Sequence, residues 1–285
     1  MSVYRLYLLT ITCLSLVSCV SDSDFLPVLD QDEVIRQLTS AYDLMPEESI
    51  SVSGHSEVYA FYAQPTTIYG HGILGDKIEA KMLVVAVDNQ VYELTLGEDF
   101  VFEDIRPRLY DVDRDGTLEV IAIRTLLSGG AGIAIYTIQN NQLTEYAYVP
   151  VINKAYRWLN IVTIDDLDND GIVELVWVET PHIGGILKVA KITQGELAVS
   201  DTQREYSNHA IGERNLCLST LTATDDQRVF YVPNQSRDSI VGFGYADEKF
   251  IPTSTIALDV DFSRKLSEQY DFVGTIEEGD NCIEG

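Results

Sequence analysis

Two nine-residue runs constrain this chain more than anything else in it. Residues 111–119 read Asp-Val-Asp-Arg-Asp-Gly-Thr-Leu-Glu, and residues 166–174 read Asp-Leu-Asp-Asn-Asp-Gly-Ile-Val-Glu. Each carries carboxylates at positions one, three, five and nine and glycine at six. Four carboxylates in so short a span repel one another unless positive charge sits among them. A hard cation meets that need, since calcium takes about six to eight oxygen ligands and alternate residues of a tight loop can point at one ion. Gly116 and Gly171 supply the left-handed backbone that lets such a loop curl. The expected ligands are therefore Asp111, Asp113, Asp115 and Glu119 with the carbonyl of Thr117, and Asp166, Asp168, Asp170 and Glu174 with the carbonyl of Ile172, making two calcium sites. Arg114 and Asn169, at position four, should face solvent. A plain acidic hairpin is the competing account, because Asp-Gly is a common turn dipeptide. Two copies with one ligand spacing favour the metal.

An EF-hand would place a bidentate Glu at position twelve on a following helix. Here position twelve is Ala122 or Trp177, inside the β-rich stretches Val120-Ile121-Ala122-Ile123 and Leu175-Val176-Trp177-Val178. Asp-x-Asp-x-Asp-Gly-x-x-Glu running into a β-branched strand resembles the FG-GAP/VCBS repeat, known from integrin α-subunit propellers and many bacterial surface proteins. The motif match covers residues 106–124 and 161–179. The resemblance implies β-propeller blades, each with calcium between its first two strands, and ligands met at the end of the blade away from the calcium loop.

Repeat spacing extends the pattern. Ser49–Glu57 aligns with the acidic loops with Ser in place of Asp, and Thr220–Arg228 aligns with Thr in place of Asp. Neutral hydroxyls lack the charge to hold calcium, and Arg228 at the ninth position repels it, so both outer copies are expected to be metal-free turns of similar shape. After each loop comes a strand, at Val58–Ala63, Val120–Arg124, Leu175–Glu179 and Val229–Pro233. A second hairpin follows, turning at 88–90, 139–142, 193–196 and 246–249. The expected fold is all-β: a short β-propeller of about four four-stranded antiparallel blades, near 46–105, 106–160, 161–214 and 215–269. Residues 270–276 either close the first blade or open a truncated fifth. Val34, Leu38, Ala41, Tyr42 and Met45 share one face at helical spacing, which predicts a packing helix over 30–45 stopped by Pro46.

The N-terminus reads as a targeting segment. Arg5 precedes an apolar stretch from Leu6 to Val17, too short to span a bilayer comfortably. Leu16-Val17-Ser18-Cys19 resembles the bacterial lipobox, which implies a signal peptide over 1–18, lipid on Cys19, a tether to residue 29 and an outer-membrane lipoprotein. Cys217 and Cys282 then remain, and an exported pair suggests a disulfide. The 45 acidic against 19 basic residues give a net charge of −26, which argues against nucleic acid or an anionic lipid surface as partner.

Loops on a rigid scaffold are where binding residues concentrate. The candidate ligand face comprises loops 64–76, 128–132, 180–185 and 234–238 with connections 100–107, 149–158 and 203–214, and Tyr69, His71, His182 and Arg237 stand out on it. His71, His182 and His209 could gather there, but no nucleophile elbow, HExxH pair or phosphate loop accompanies them. Ser128-Gly129-Gly130-Ala131-Gly132 precedes a strand and lacks a lysine, so its glycines more simply allow a tight turn. The expectation is a binding module for a protein or carbohydrate ligand. A scaffold or assembly factor for envelope proteins and a hydrolase on a propeller are the alternatives.

Overall fold

A computed structural model describes residues 31–46, 50–53, 57–87, 90–224 and 227–258. The signal segment, Cys19, the tether, residues 270–276 and Cys282 lie outside the described residues. No described helix is long and apolar enough to cross a membrane.

One helix, α1 (Gln31–Thr39), precedes the strands. Blade one comprises β1 (Ile50–Ser53), β2 (Val58–Thr66), β3 (Glu79–Val87) and β4 (Gln90–Thr95), and a short strand β5 (Phe100–Phe102) follows it. Blade two comprises β6 (Arg108–Tyr110), β7 (Glu119–Leu126), β8 (Gly130–Gln139) and β9 (Gln142–Val149). Blade three comprises β10 (Leu159–Asp165), β11 (Val173–Glu179), β12 (Ile186–Thr193) and β13 (Glu196–Arg204). Blade four comprises β14 (Thr220–Ala223), β15 (Arg228–Pro233), β16 (Ser239–Ala246) and β17 (Lys249–Ala257). Every pairing between named strands is antiparallel. The fold is all-β, a short propeller of four-stranded blades with one helix.

The second hairpins turn where the sequence predicts. Asn140 and Asn141 (φ 51° and 61°), Gln194 and Gly195 (51° and 79°), and Asp247 and Glu248 (50° and 62°) form two-residue turns, whose left-handed backbone matches the strand twist. The side-chain period of two makes each second strand a wall between two cores. On β7, Ile121 and Ile123 pack with Leu175 and Trp177 of blade three. Val120 and Ala122 face Leu83 and Phe102 on the blade-one side. On β11, Val176 and Val178 pack with Phe230 and Phe243 of blade four. Such strands read as unbroken apolar runs because neither face meets water.

Four expectations change. The helix ends at Thr39 rather than near residue 45: Thr39 Oγ1 bonds back to Ile35 O at 2.8 Å, and Leu44 then bridges to Ala63 on β2. Tertiary pairing overrides the helical spacing. The outer pseudo-loops are not turns shaped like the acidic ones. Ile50–Ser53 and Thr220–Ala223 are strands, Ser53 pairs with Val58 and Ala223 with Arg228, and only four residues cross between them. With Ser or Thr at positions one, three and five in place of aspartates, alternating β-formers keep pairing. The 100–107 connection contains β5, which bonds to β3 and β7 and joins blades one and two into a nine-stranded sheet. Finally, Gly130 and Gly132 lie in β8. A Cβ on them would sit 2.3 Å from Lys154 O and 2.6 Å from Val149 O, so close backbone approach, more than a tight turn, requires them.

At the seam of blades one and two, Asp104 is buried and takes the buried Arg108 guanidinium. Its carboxylate also accepts Ile123 N–H (3.2 Å), Ile105 N–H (2.9 Å) and Tyr62 O–H (3.1 Å). Burial raises the Asp104 pKa, while Arg108 and the Ile123 and Ile105 N–H groups work against that rise. Removing one member of a buried pair strands the other charge. Asp104→Ala is therefore expected to lower unfolding stability by about 3–5 kcal/mol in denaturant titrations, with Asp104→Asn losing less because it keeps part of the hydrogen bonding.

Candidate functional site

At one end of blades two and three the two acidic loops share one scaffold. Asp111 accepts the N–H groups of Asp115 (3.1 Å) and Gly116 (2.9 Å), and Asp166 accepts those of Asp170 (3.0 Å) and Gly171 (3.1 Å). Asp113 accepts Asp115 N–H at 3.2 Å, and Asp168 accepts Asp170 N–H at 3.3 Å. Asp115 and Asp170 hold Thr117 and Ile172 N–H at 2.7 and 2.8 Å. Glu119 and Glu174 reach back to Val112 and Leu167 N–H at 3.0 and 2.8 Å. Gly116 and Gly171 have φ 90° and 91°. Thus every carboxylate of both loops accepts at least one backbone N–H.

The scaffold gathers oxygens. One carboxylate oxygen from each of Asp111, Asp113 and Asp115 lies within 4.8 Å of the others, and the same holds for Asp166, Asp168 and Glu174. Glu119 and Glu174 are buried. Burial pushes each up to about 7, with the neighbouring aspartates adding to the rise. A donor set of carboxylates alone suits a hard cation.

Residues 111–177 match the FG-GAP-like repeat family. This stretch is similar to an FG-GAP-like repeat. It runs from the first acidic loop to the second strand of blade three, and so includes both loops. No curated protein matches the chain at a significant level. Among solved structures, the chain is similar to a Bacteroides fragilis protein provisionally described as a 6-phosphogluconolactonase, at 11% identity and TM-score 0.41, covering 75% of this chain and 58% of that one. It is also similar to a Bacillus licheniformis rhamnogalacturonan lyase, at 11% identity and TM-score 0.39, covering 77% and 53%. The chain spans little more than half the length of either.

Position four of each FG-GAP loop does more than face solvent. Arg114 is exposed, yet its Nη2 donates to Asp166 Oδ2 at 2.7 Å. Asn169 is also exposed and accepts from Arg228, which in turn donates to Asp165 at 2.9 Å. Lys191 on β12 stands beside the second loop, with Nζ 2.5 Å from Asp170, 3.3 Å from Asp168 and 3.4 Å from Glu174.

The opposite end collects the histidines. His71 Nδ1 lies 2.5 Å from Glu103 Oε1, and Glu103 Oε2 takes Thr125 O–H at 2.8 Å. The Glu103 carbonyl accepts Trp158 Nε1–H at 2.8 Å, and the Trp158 ring packs against His182 and His209. His209 Nε2 faces the Glu213 carbonyl at 2.8 Å, so it carries the proton. Its Nδ1 therefore accepts from His182 Nε2–H at 2.9 Å, which leaves His182 Nδ1 with a lone pair. Tyr69 stacks on Tyr156, with both rings edge-on to His71. Arg237 donates to the His209 carbonyl and to Ser207 Oγ. The predicted residues Tyr69 and His71 thus meet in one group, and His182 and Arg237 meet around His209. Sequence reasoning missed Glu79, Glu103, Tyr156 and Trp158. Glu79, which accepts the Gly70 and His71 N–H groups, and Glu103 are both buried. Neither stands in a motif; only sheet pairing brings them to His71. Cys217 is half-buried, with its N–H on Asn215 Oδ1.

Burial lowers His182 from 6.5 to about 3 and His209 from 6.5 to about 4. The unfolded chain then takes up protons that the folded one refuses as pH drops below 6.5, so the pair contributes stability present at neutral pH and lost on acidification. Melting temperatures followed downward from neutral pH should fall more steeply in the wild type than in His182→Gln, which keeps an N–H donor for His209.

Proposed function

We propose that this protein is a calcium-stabilised interaction module that holds one ion in each FG-GAP loop and meets its partner at the histidine-bearing end. The observation that carries the first half is the pair of backbone-braced acidic loops, with Asp111, Asp113 and Asp115 converging in one and Asp166, Asp168 and Glu174 in the other. The ions' role is structural: they neutralise crowded charge and fix the crossing from first to second strand. Calcium supplies charge and ligand preference there; the chain supplies Asp111, Asp113, Asp115 and Glu119 at one loop and Asp166, Asp168, Asp170 and Glu174 at the other.

The second half rests on surface chemistry. Ile68, Tyr156, Ile183 and Ile211 are each more than half exposed, and all belong to loops or connections of that end. Exposed apolar groups around a rigid aromatic floor suit a protein partner over a sugar. In this reading the chain is exported, held at the envelope by lipid on Cys19, and braced by a Cys217–Cys282 bridge, with the partner another envelope protein.

Calcium should raise the melting temperature relative to chelator. A ligand that binds only the folded state at a hundredfold above Kd adds about 2.7 kcal/mol. Asp113→Ala should reduce that shift. If calcium stabilises Asp113→Ala and Asp168→Ala as much as the wild type, the assignment is wrong. Separately, Cys19→Ser should move the protein from the membrane fraction to the soluble fraction of expressing cells; unchanged fractionation would exclude the lipid anchor.

A further inference from the structure

The two loops share backbone and ligands but differ in what faces the ninth-position glutamate. In blade three Glu174 pairs across the ladder with Lys191, one residue past the Leu175–Ala190 pair. In blade two the same place, one residue past the Val120–Tyr136 pair, belongs to Thr137. Thr137 offers Glu119 a hydroxyl at 3.1 Å. Lys191 offers its loop an ammonium that touches Asp168, Asp170 and Glu174. Arg114 occupies the remaining carboxylate, Asp166. All four acids of the second loop therefore meet a basic side chain. Among the described residues, no ion pair reaches Asp111, Asp113, Asp115 or Glu119.

Two further observations mark Lys191 as built in rather than passing by. Glu174 Oε1 is fully buried and accepts no hydrogen bond, so the Lys191 charge is what faces it. The ammonium also lies 5.8 Å from the centroid of the Tyr245 ring on blade four, and the Tyr245 hydroxyl is held by Ser200 at 2.7 Å. The ammonium thus sits between the second acidic loop of blade three and an aromatic ring of blade four.

We infer that Lys191 is a tethered cation that holds the second loop closed without metal, so that divalent ions fill the first loop strongly and the second only by displacing the lysine. The inference rests on the calcium reading of these loops. An ion entering the second loop must expel a like charge and break its contacts with three carboxylates, whereas the first loop has no such competitor. Site affinity follows the charge of the ligand set, and Lys191 lowers the net negative charge of its set by one.

The test is calorimetric titration of the full chain with calcium chloride, with circular dichroism of each variant to check its fold. The wild type should show one strong site, lost in Asp113→Asn and kept in Asp168→Asn. Lys191→Thr, which copies the first loop, should gain a second strong site with affinity raised about tenfold or more. Thr137→Lys should weaken the first site by about as much; it adds a countercharge and so is expected to fold without metal even if Lys191→Thr requires calcium to do so. Two equal sites in the wild type, no gain in Lys191→Thr, or loss of the strong site in Asp168→Asn overturns the inference and leaves the calcium reading standing. Absence of binding in the wild type and every variant overturns both.

Discussion

Repulsion among carboxylates crowded at the crossing from first to second strand is the constraint to which the rest of this structure answers. Each FG-GAP loop answers first with its own backbone: N–H groups aimed at the acids spread their charge and set the curl. It answers next with neighbours. Arg114 carries charge from the first loop to Asp166 in the second, and Arg228 carries charge from blade four to Asp165. Tyr110 of blade two gives the same Asp165 a hydroxyl at 2.8 Å. The acids thus become the polar seam that joins three blades at one end. A hydrophobic residue could not do this, because the partners at the rim are half in water and apolar contact there contributes little.

The opposite end is joined by different means. Asp104 and Arg108 bind the backbone of β7 to the connection after blade one, and Glu103 ties His71 to Trp158. These groups are buried, so each carboxylate must be fully partnered to be tolerated. The consequence is a rigid floor under loops whose own tips are apolar and exposed. In the proposed reading, hydrogen-bonded groups beneath and exposed apolar groups above suit a docking surface, since a floor already held in place has little ordering entropy left to lose on binding. The acidic end, by contrast, presents charge and backbone already engaged with one another.

What the sequence made legible follows the range of the interactions involved. The acidic loops and the two-residue hairpins are local: glycine and turn residues lie within a few positions, and the hairpins turn as read; the carboxylates that come within 4.8 Å of one another are Asp111, Asp113 and Asp115 in one loop and Asp166, Asp168 and Glu174 in the other. The apolar second strands were legible because burial on both faces leaves an unbroken run. The helix end was not, because Leu44 answers to Ala63 and not to its own helix. Nor was β5, a three-residue strand whose partners on β3 and β7 lie in different blades. Ser49–Glu57 and Thr220–Arg228 align with the acidic loops by spacing alone, and spacing does not carry the charge that opens such a loop. The His71–Glu103 contact joins residues 32 apart through sheet pairing, for which no local pattern exists.

The position of the ninth-place glutamate shows why charge and fold cannot be separated here. Glu119 is the first residue of β7 and pairs with Tyr110; Glu174 pairs with Asp165 on β10. Each is at once a member of a carboxylate cluster and a rung of the ladder. A slip of one residue would turn Glu119 and Glu174 to the opposite face and exchange the two cores that β7 and β11 divide. Whatever neutralises the cluster therefore also holds the register, and the register decides which apolar face meets which blade. In blades one and four, where no such cluster lies among the described residues, the same decision falls to the direct pairing of Ser53 with Val58 and of Ala223 with Arg228. Blade four adds the Thr224 hydroxyl, which bonds the Gln227 carbonyl and N–H at 3.1 Å each, while the inner blades add the charge of their loops to the ladder pairing.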